Sequence, residues 1–226
     1  MTRALLANIV WHSLAGVHAP YSCGTQGARR YARGFSPIMG FANPERADFS
    51  AMEPFCEVGE QVYCAGWSGP VPSGWQIDVH GVGHQMVWDG ALPAIDPELC
   101  AARLGAAHVQ QMLQLAAITK PGPFAEKTVE LGEYYGVFEG ERLVAMAGER
   151  FQAGTLREIS GVCTHPDFQG RGLARRLVEM LIRIELARHE IPFLHVMADN
   201  HLARRIYERM GFHRIQDCVV RVVSRT

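Results

Sequence analysis

The sequence lacks several features that define whole classes of protein. Its 226 residues carry a formal net charge of −1, which offers no electrostatic basis for binding nucleic acid. Its apolar runs end well short of the roughly 20 residues that a membrane-spanning helix needs. There is no internal repeat and no low-complexity tract. Because 48% of the residues are hydrophobic, we expect a folded protein with a buried core and with neither nucleic-acid nor membrane partners.

The six cysteines contain no C-x-x-C pair, and this absence bears on compartment and metals. Scattered single cysteines are typical of reduced thiols and argue against a disulfide framework or a zinc site. His80 and His84 flank a glycine-rich stretch, but two histidines alone make a poor metal site. The apolar run that ends at Val10 is not followed by a small-residue cleavage pattern. We therefore predict a cytoplasmic protein that binds no metal.

The first part of the chain, residues 1–95, is rich in glycine, proline and aromatic residues and shows little helical periodicity. It is predicted to form a smaller, β-rich N-terminal module. Its clearest strands are 75–79 and 84–88, and the glycines between them permit a reversing turn. We therefore expect a β-hairpin at this point.

A second domain is predicted over residues 96–226, where the hydrophobic pattern alternates between strand and helix periods. A strand, a long helix and a further strand favour parallel central strands joined by a helical crossover. The fold class is therefore α/β (α+β), with a mixed, twisted sheet flanked by helices. The predicted elements are a helix at 106–118, a hairpin of 134–138 and 143–147, a strand at 159–164, a helix at 172–189, a strand at 193–197, a helix at 201–210 and a final strand.

The strongest local signal lies between the predicted strand at 159–164 and the following helix. A glycine-rich turn entering a helix presents unpaired backbone N–H groups and the positive end of the helix dipole, which together suit a pyrophosphate. Arg175 and Arg176 in the first helical turn add positive charge. The alternative is a loop whose glycines only permit a tight turn. The segment reads Gln169, Gly170, Arg171, Gly172, Leu173, Ala174.

Two elements of the sequence together resemble the GNAT superfamily of N-acetyltransferases. Residues 164–174 are similar to its signature V-x-P-x-x-[QR]-x-x-G-x-[GA], with Thr164 in the first position. Further on, Asn200 and the run from Tyr207 to Phe212 match its N-x(6)-Y-E-x-x-G-F element. The resemblance covers about residues 96–226. An extra N-terminal module before such a domain resembles FR47-like GNAT proteins, in which the first part is sometimes a degenerate copy of the fold.

The resemblance implies acetyl-CoA as the acyl donor and a primary amine, on a small molecule or on a peptide or protein, as the acceptor. The amine would attack directly in a ternary complex. The competing hypothesis is a non-catalytic protein with a GNAT fold, either a sensor that binds CoA or acyl-CoA or an interaction protein. The acceptor and the oligomeric state stay open, and a homodimer is compatible with the sequence. The cofactor residues implied by the resemblance are Val162, Cys163 and Thr164 for the pantetheine arm, Gly170 to Arg175 for the pyrophosphate, and Asn200, while Gln169 shapes the loop.

The catalytic residues follow from the same resemblance and from the needs of acyl transfer, which are a neutral amine and a proton for the departing thiolate. Tyr207 is the implied general acid. His195 is one candidate base, although a lone strand histidine is as often a core residue with satisfied hydrogen bonds. Glu158 is another, but this role needs a pKa raised by burial, and the alternative is a solvent-facing glutamate beside Arg157. An ordered water is the third candidate.

Overall fold

Two short helices open the described part of the chain, which is residues 2–226 of a computed structural model. They are α1 (Thr2–Ala7) and α2 (Ile9–Ala15), in a region where the sequence predicts little helix. Both are too short to be stable alone and too short to show a clear period. Packing stabilises them instead, because Leu6, Ile9 and Leu14 are buried against aromatic side chains of the sheet.

Five strands follow these helices, and six strands with three helices make up the rest. The first five are β1 (Ser22–Gly24), β2 (Ala28–Tyr31), β3 (Ile38–Phe41), β4 (Gln61–Ala65) and β5 (Trp75–Trp88). The remainder are β6 (Ala101–Leu104), α3 (Val109–Thr119), β7 (Tyr134–Glu139), β8 (Arg142–Ala153), β9 (Leu156–Thr164), α4 (Leu173–Ala187), β10 (Ile191–Met197), α5 (His201–Arg209) and β11 (Phe212–Arg225). The predicted hairpin of β7 and β8 is confirmed, as is the parallel pairing of β9 and β10 across α4. None of the described helices is long and apolar enough to cross a membrane.

The hairpin predicted within residues 75–88 is wrong, because β5 is a single strand of 14 residues. Its glycines do not reverse the chain. Gly81 and Gly83 pair with Val220 and Cys218 of β11. A Cβ atom added at Gly81 would lie 2.8 Å from the Cε of Met197. These glycines therefore permit a close approach between neighbouring strands.

All strands of the described chain join one mixed sheet in the order β1-β2-β3-β4-β11-β5-β10-β9-β8-β7-β6. We call β1–β4 the N-terminal half, β6–β10 the C-terminal half, and the antiparallel pair of β5 and β11 the central ribbon. The end of β11 pairs with β4, and the end of β5 pairs with β10. Strands from both sides of the predicted boundary at residues 95 and 96 therefore belong to one continuous sheet. A domain boundary there stays a prediction.

The helix α4 packs on one face of the C-terminal half. Its residues Leu177 and Leu181 are fully buried against a cluster that includes Ile159 of β9 and Leu194 of β10. Each such side chain contributes about 1.5–3 kcal/mol by leaving water. Residues that alternate with these along β9 and β10 face the opposite side of the sheet, where Phe193 contacts the cluster formed with α1 and α2.

Candidate active site

The two parallel strands of the C-terminal half separate toward their carboxyl ends. β9 and β10 pair from their first residues as far as Glu158 and Phe193, although β9 continues to Thr164. On its other side, the register of β9 with β8 shifts around Gly161, whose φ is 64°. Such a bulge bends the strand that carries it. The opening between the ends of β9 and β10, which we call the strand gap, leaves backbone groups of both strands available to a ligand.

The glycine-rich loop lies at the carboxyl end of β9 and leads directly into α4. Gly170 and Gly172 have φ values of 78° and 73°, in the left-handed region that other residues rarely adopt. A Cβ added at either glycine meets no neighbouring atom, so the surface of the loop is open. The Gln169 side chain donates to the Thr164 carbonyl at 3.5 Å, while Leu173 is buried and anchors the start of the helix. The loop thus presents the N-terminus of a 15-residue helix to solvent.

Two of the three arginines near the loop remain exposed beside it. The Arg171 guanidinium lies 4.8 Å from the centre of the Phe168 ring, and Arg175 pairs with a glutamate one turn later along α4. Arg176 differs from the prediction, because its Nε lies 2.5 Å from a carboxylate oxygen of Asp96. Arg176 is therefore held by Asp96, whereas Arg171 and Arg175 are exposed cations beside the loop.

The strand residues predicted to meet the pantetheine arm lie along the gap on β9. Val162 is half-buried against the cluster under α4. Burial raises the pKa of the Cys163 thiol to about 11, so this thiol is neutral near pH 7 and is a poor nucleophile. The Thr164 hydroxyl is buried and has no hydrogen-bond partner within residues 2–226. An unpaired polar group at the edge of the gap fits a site that is completed by a polar ligand.

Asn200 is the N-cap residue of α5, the helix after β10, and Tyr207 lies within that helix. The Asn200 side chain accepts a hydrogen bond from the Ala203 N–H at 3.1 Å and so caps the helix. The Tyr207 ring packs against the cluster under α4 and meets Phe212 at 5.8 Å, edge to face. Burial, with a smaller contribution from Cys163, raises the pKa of Tyr207 to about 12. Its hydroxyl therefore keeps its proton at neutral pH and is able to donate it.

The two candidate bases lie against each other at the closed end of the strand gap. Oε1 of Glu158 is 2.6 Å from Nδ1 of His195, and Arg150 of β8 binds both carboxylate oxygens at 2.9 Å. Glu158 is only 1% exposed, so the solvent-facing alternative is wrong. The raised pKa that a basic role requires is also contradicted. Burial alone would raise the pKa of Glu158, but the charges of Arg150 and His195 lower it to about 2.

Comparison with known proteins identifies the family to which the chain belongs. Residues 134–221 match the model of the FR47-like protein family. The chain is 32% identical over 133 residues to the N-alpha-acetyltransferase RimI of Mycobacterium tuberculosis (strain ATCC 25618 / H37Rv), in a match that covers 56% of this chain and 78% of the relative. The chain belongs to the GNAT family. It is an acyltransferase, and GNAT acetyltransferases use acetyl-CoA as cosubstrate.

Two solved structures match this chain over nearly its whole length. A putative GNAT-family acetyltransferase from Novosphingobium aromaticivorans DSM 12444 is 33% identical, with a TM-score of 0.89 and coverage of 98% of both chains. A GCN5-related N-acetyltransferase from Kribbella flavida, 15% identical, matches 96% of this chain and 95% of its own length with a TM-score of 0.62, which shows the fold alone. The predicted fold class, a mixed sheet flanked by helices, is thereby confirmed.

The sequence did not predict three polar residues near the candidate site of this GNAT enzyme, which are Arg150, Gln85 and Gln216. Arg150 is eight positions before Glu158, across the turn between β8 and β9, where no local spacing rule applies. Gln85 contacts His195 and Gln216 across neighbouring strands of the sheet. Gln85 was not predicted as part of the site, because the predicted boundary at residue 95 placed it in the separate N-terminal module.

One cavity of this GNAT chain lies away from the strand gap. A cavity of about 530 Å³ beside the edge strand β6 is lined by Glu126 and Glu130, together with residues at the start of α3. It opens on the far side of the C-terminal half from β10. Within the described residues there is no cluster of three or more histidine, cysteine or acidic side chains with metal-binding geometry.

Proposed function

We propose that this GNAT enzyme transfers an acetyl group from acetyl-CoA to a primary amine, by direct attack of the amine in a ternary complex. One observation carries the proposal. The open glycine loop and the helix N-terminus meet the carboxyl end of β9 at the point where β9 and β10 have separated. Ligands of open α/β sheets bind at such carboxyl ends, and a diphosphate matches the N–H groups of the helix start.

The donor is held by backbone groups in this proposal. N–H groups from Gly170 to Arg175 bind the pyrophosphate, with Arg171 and Arg175 adding positive charge. Backbone groups of Val162, Cys163 and Thr164 bind the pantetheine arm along the strand gap. Asn200, at the start of α5, contacts the donor with the part of its carboxamide that does not cap the helix. Two open glycines with left-handed φ values and the unpaired Thr164 hydroxyl support this arrangement.

Tyr207 is the general acid of the proposed reaction. The amine nitrogen bonds to the acetyl carbon, the carbon–sulfur bond breaks, and the Tyr207 hydroxyl gives its proton to the departing sulfur. A tyrosine whose pKa is raised to about 12 holds this proton until a thiolate develops. Its packing against Phe212 fixes the ring while leaving the hydroxyl as the reactive end.

The acceptor class is proposed from the mycobacterial relative, whose name specifies acetylation of an α-amino group. We therefore place peptides with a free N-terminal amine first and small amines second. The cytoplasmic location, the absence of a metal and a homodimeric state remain predictions. The six free cysteines of the described chain agree with reducing conditions.

Calorimetric titration with acetyl-CoA tests the proposal. Gly172→Asp places a carboxylate and a strained φ at the pyrophosphate position, and we expect acetyl-CoA affinity to fall by at least about 100-fold. Gly59→Asp is the matched control, since Gly59 also has a left-handed φ (78°) and open space around it but lies before β4 in the N-terminal half. The control should bind as the wild type does. Absence of acetyl-CoA binding by the wild type would refute the proposal.

A further inference from the structure

A row of polar side chains crosses five adjacent strands at the closed end of the strand gap. Successive members of the row are hydrogen-bonded to each other. The row spans both sequence regions, because one of its members comes from residues before 96. Its members are Arg150 of β8, Glu158 of β9, His195 of β10, Gln85 of β5 and Gln216 of β11.

Glu158 has no free position left for a further proton. Its Oε1 accepts from Arg150 Nη2 at 2.9 Å and from His195 Nδ1 at 2.6 Å. Its Oε2 accepts from Arg150 Nε at 2.9 Å and from the Phe151 N–H at 3.2 Å. An ionised carboxylate offers about four acceptor positions, and all of them are used. Glu158 is therefore built to hold its neighbours in place, and an amine has no route to its oxygens.

His195 is held in one orientation by its two neighbours. Nδ1 faces the carboxylate, so this nitrogen carries a proton. Nε2 lies 3.0 Å from Nε2 of Gln85, which also donates to the Leu6 carbonyl at 3.1 Å. Because the Gln85 oxygen accepts from Gln216 at 2.6 Å, the carboxamide turns its N–H toward His195. This orientation requires a lone pair at Nε2 of the imidazole.

His195 and Tyr207 lie on opposite faces of the sheet, on either side of the strand gap. His195 alternates along β10 with Leu194 and Val196, which pack under α4, so its side chain faces away from α4. Tyr207 packs with the α4 cluster. The His195 side chain is still 16% exposed, whereas that of Glu158 is 1% exposed. The imidazole of His195 and the ring of Tyr207 are therefore on different sides of the sheet, with Tyr207 on the side of α4.

We propose that His195 takes the proton of the acceptor amine at Nε2, and that Glu158, Arg150 and Gln85 are positioning residues for it. The inference rests on the proposed function. As the nitrogen bonds to the acetyl carbon, its N–H replaces that of Gln85 at the Nε2 lone pair and the proton passes to His195. Nδ1 keeps its own proton throughout.

The charges around His195 give this assignment a pH dependence. Burial opposes the charged imidazolium, but Glu158 and the nearby Cys218 raise the pKa of His195 to about 9. The Gln85 N–H acts the other way, since it bonds only to the neutral form. A base with this pKa gains activity as the pH rises toward about 9. The titratable and charged groups around His195 and Glu158 are Tyr31 of β2, Tyr134 of β7, Arg150 of β8 and Cys218 of β11.

Titration of the histidine rings by NMR tests the positioning role without any acceptor. Glu158→Gln keeps the shape of the carboxylate and removes its charge, so we expect the pKa of His195 to fall by about 2 units. Glu60→Gln is the matched control. Glu60 also binds an arginine through both oxygens, but it lies in the N-terminal half, and its loss should leave the His195 titration unchanged. An unchanged pKa in Glu158→Gln would overturn the inference.

Release of CoA from acetyl-CoA in the presence of a short peptide with a free α-amine, from about pH 6 to about pH 10, tests the catalytic role. Glu158→Gln should remain active with its rising limb moved to lower pH, and His195→Gln should lose at least about 100-fold in kcat with little change in acetyl-CoA affinity. The amine's own ionisation is common to all variants. A pH-independent loss in Glu158→Gln with an active His195→Gln would assign the base to Glu158. A wild type that neither binds acetyl-CoA nor releases CoA would instead refute the proposed function.

Discussion

The N-terminal and C-terminal halves of the sheet each contain a parallel strand pair, but they connect it differently. β3 and β4 are joined by residues 42–60, which form two short 3₁₀ helices. β9 and β10 are joined by the glycine loop and the 15-residue α4. In the first crossover Phe49 and Met52 are buried in an aromatic core. A parallel strand pair alone therefore does not provide the proposed cofactor site, because the crossover supplies the helix N-terminus and the open glycines.

The sharpest way to test this difference is to alter one tyrosine in each half. Tyr207→Phe removes the proposed proton donor, so kcat should fall by about 10²- to 10⁴-fold while acetyl-CoA affinity stays near that of the wild type. Tyr63→Phe makes the same change on β4, within the other parallel pair. Steady-state kinetics and calorimetry on both variants measure the contrast. Equal activity of Tyr207→Phe and wild type would remove Tyr207 from the mechanism.

A second test asks whether the two halves are separate folding units. The Phe49 ring lies 4.6 Å from that of Trp67 and 5.1 Å from that of Trp75, so Phe49→Ala should cost about 3–5 kcal/mol. Leu181→Ala in α4 is the counterpart and should cost about 2–5 kcal/mol. Because the central ribbon pairs with β4 on one side and with β10 on the other, we expect one transition in each variant.

Urea denaturation followed by tryptophan fluorescence and by circular dichroism distinguishes the outcomes. Coincident curves mean that damage in the N-terminal half destabilises the whole sheet. A separate early transition in Phe49→Ala, with acetyl-CoA binding retained, would instead support a domain boundary near residue 95.

The C-terminal half and the central ribbon also differ in how far the sequence predicts them. In the C-terminal half, Leu173, Leu177 and Leu181 recur at helical spacing, so α4 and its neighbours are readable locally. The strand β5 could not be predicted from the sequence, because Gly81 and Gly83 favour a turn when their partner strand β11, far away in the sequence, is unknown. Candidate functional residues are likewise predictable only where the signal is local. A sequence motif identifies the glycine-rich loop and Tyr207, whereas the contacts of Glu158 depend on tertiary packing.

The smallest expected effect concerns a glutamate in each half. Glu60 pairs with Arg30, and this hydrogen bonding lowers its pKa. Glu185 of α4 is 0% exposed, and neither of its carboxyl oxygens has a hydrogen-bond partner in the described chain. Burial, followed by the nearby Glu149, raises the pKa of Glu185 well above 4.5. The carboxylate of Glu60 is therefore paired with an arginine, whereas the carboxyl group of Glu185 is buried without a hydrogen-bond partner in the described chain.

These environments give opposite pH dependences of stability. A carboxyl group whose pKa is raised in the folded state does not lower the free energy of unfolding at a pH below its unfolded pKa. As the pH rises from the unfolded pKa toward the folded pKa, the free energy of unfolding falls. Glu185→Gln removes this loss, so it should stabilise the protein by about 1–3 kcal/mol at pH 7 and by less at pH 4. Glu60→Gln should destabilise at pH 7, because a lowered pKa contributes stability above the unfolded pKa, and this contribution vanishes on acidification. Thermal unfolding of both variants at the two pH values measures the contrast, and a stabilisation by Glu185→Gln that does not change with pH would show that Glu185 is ionised in the fold.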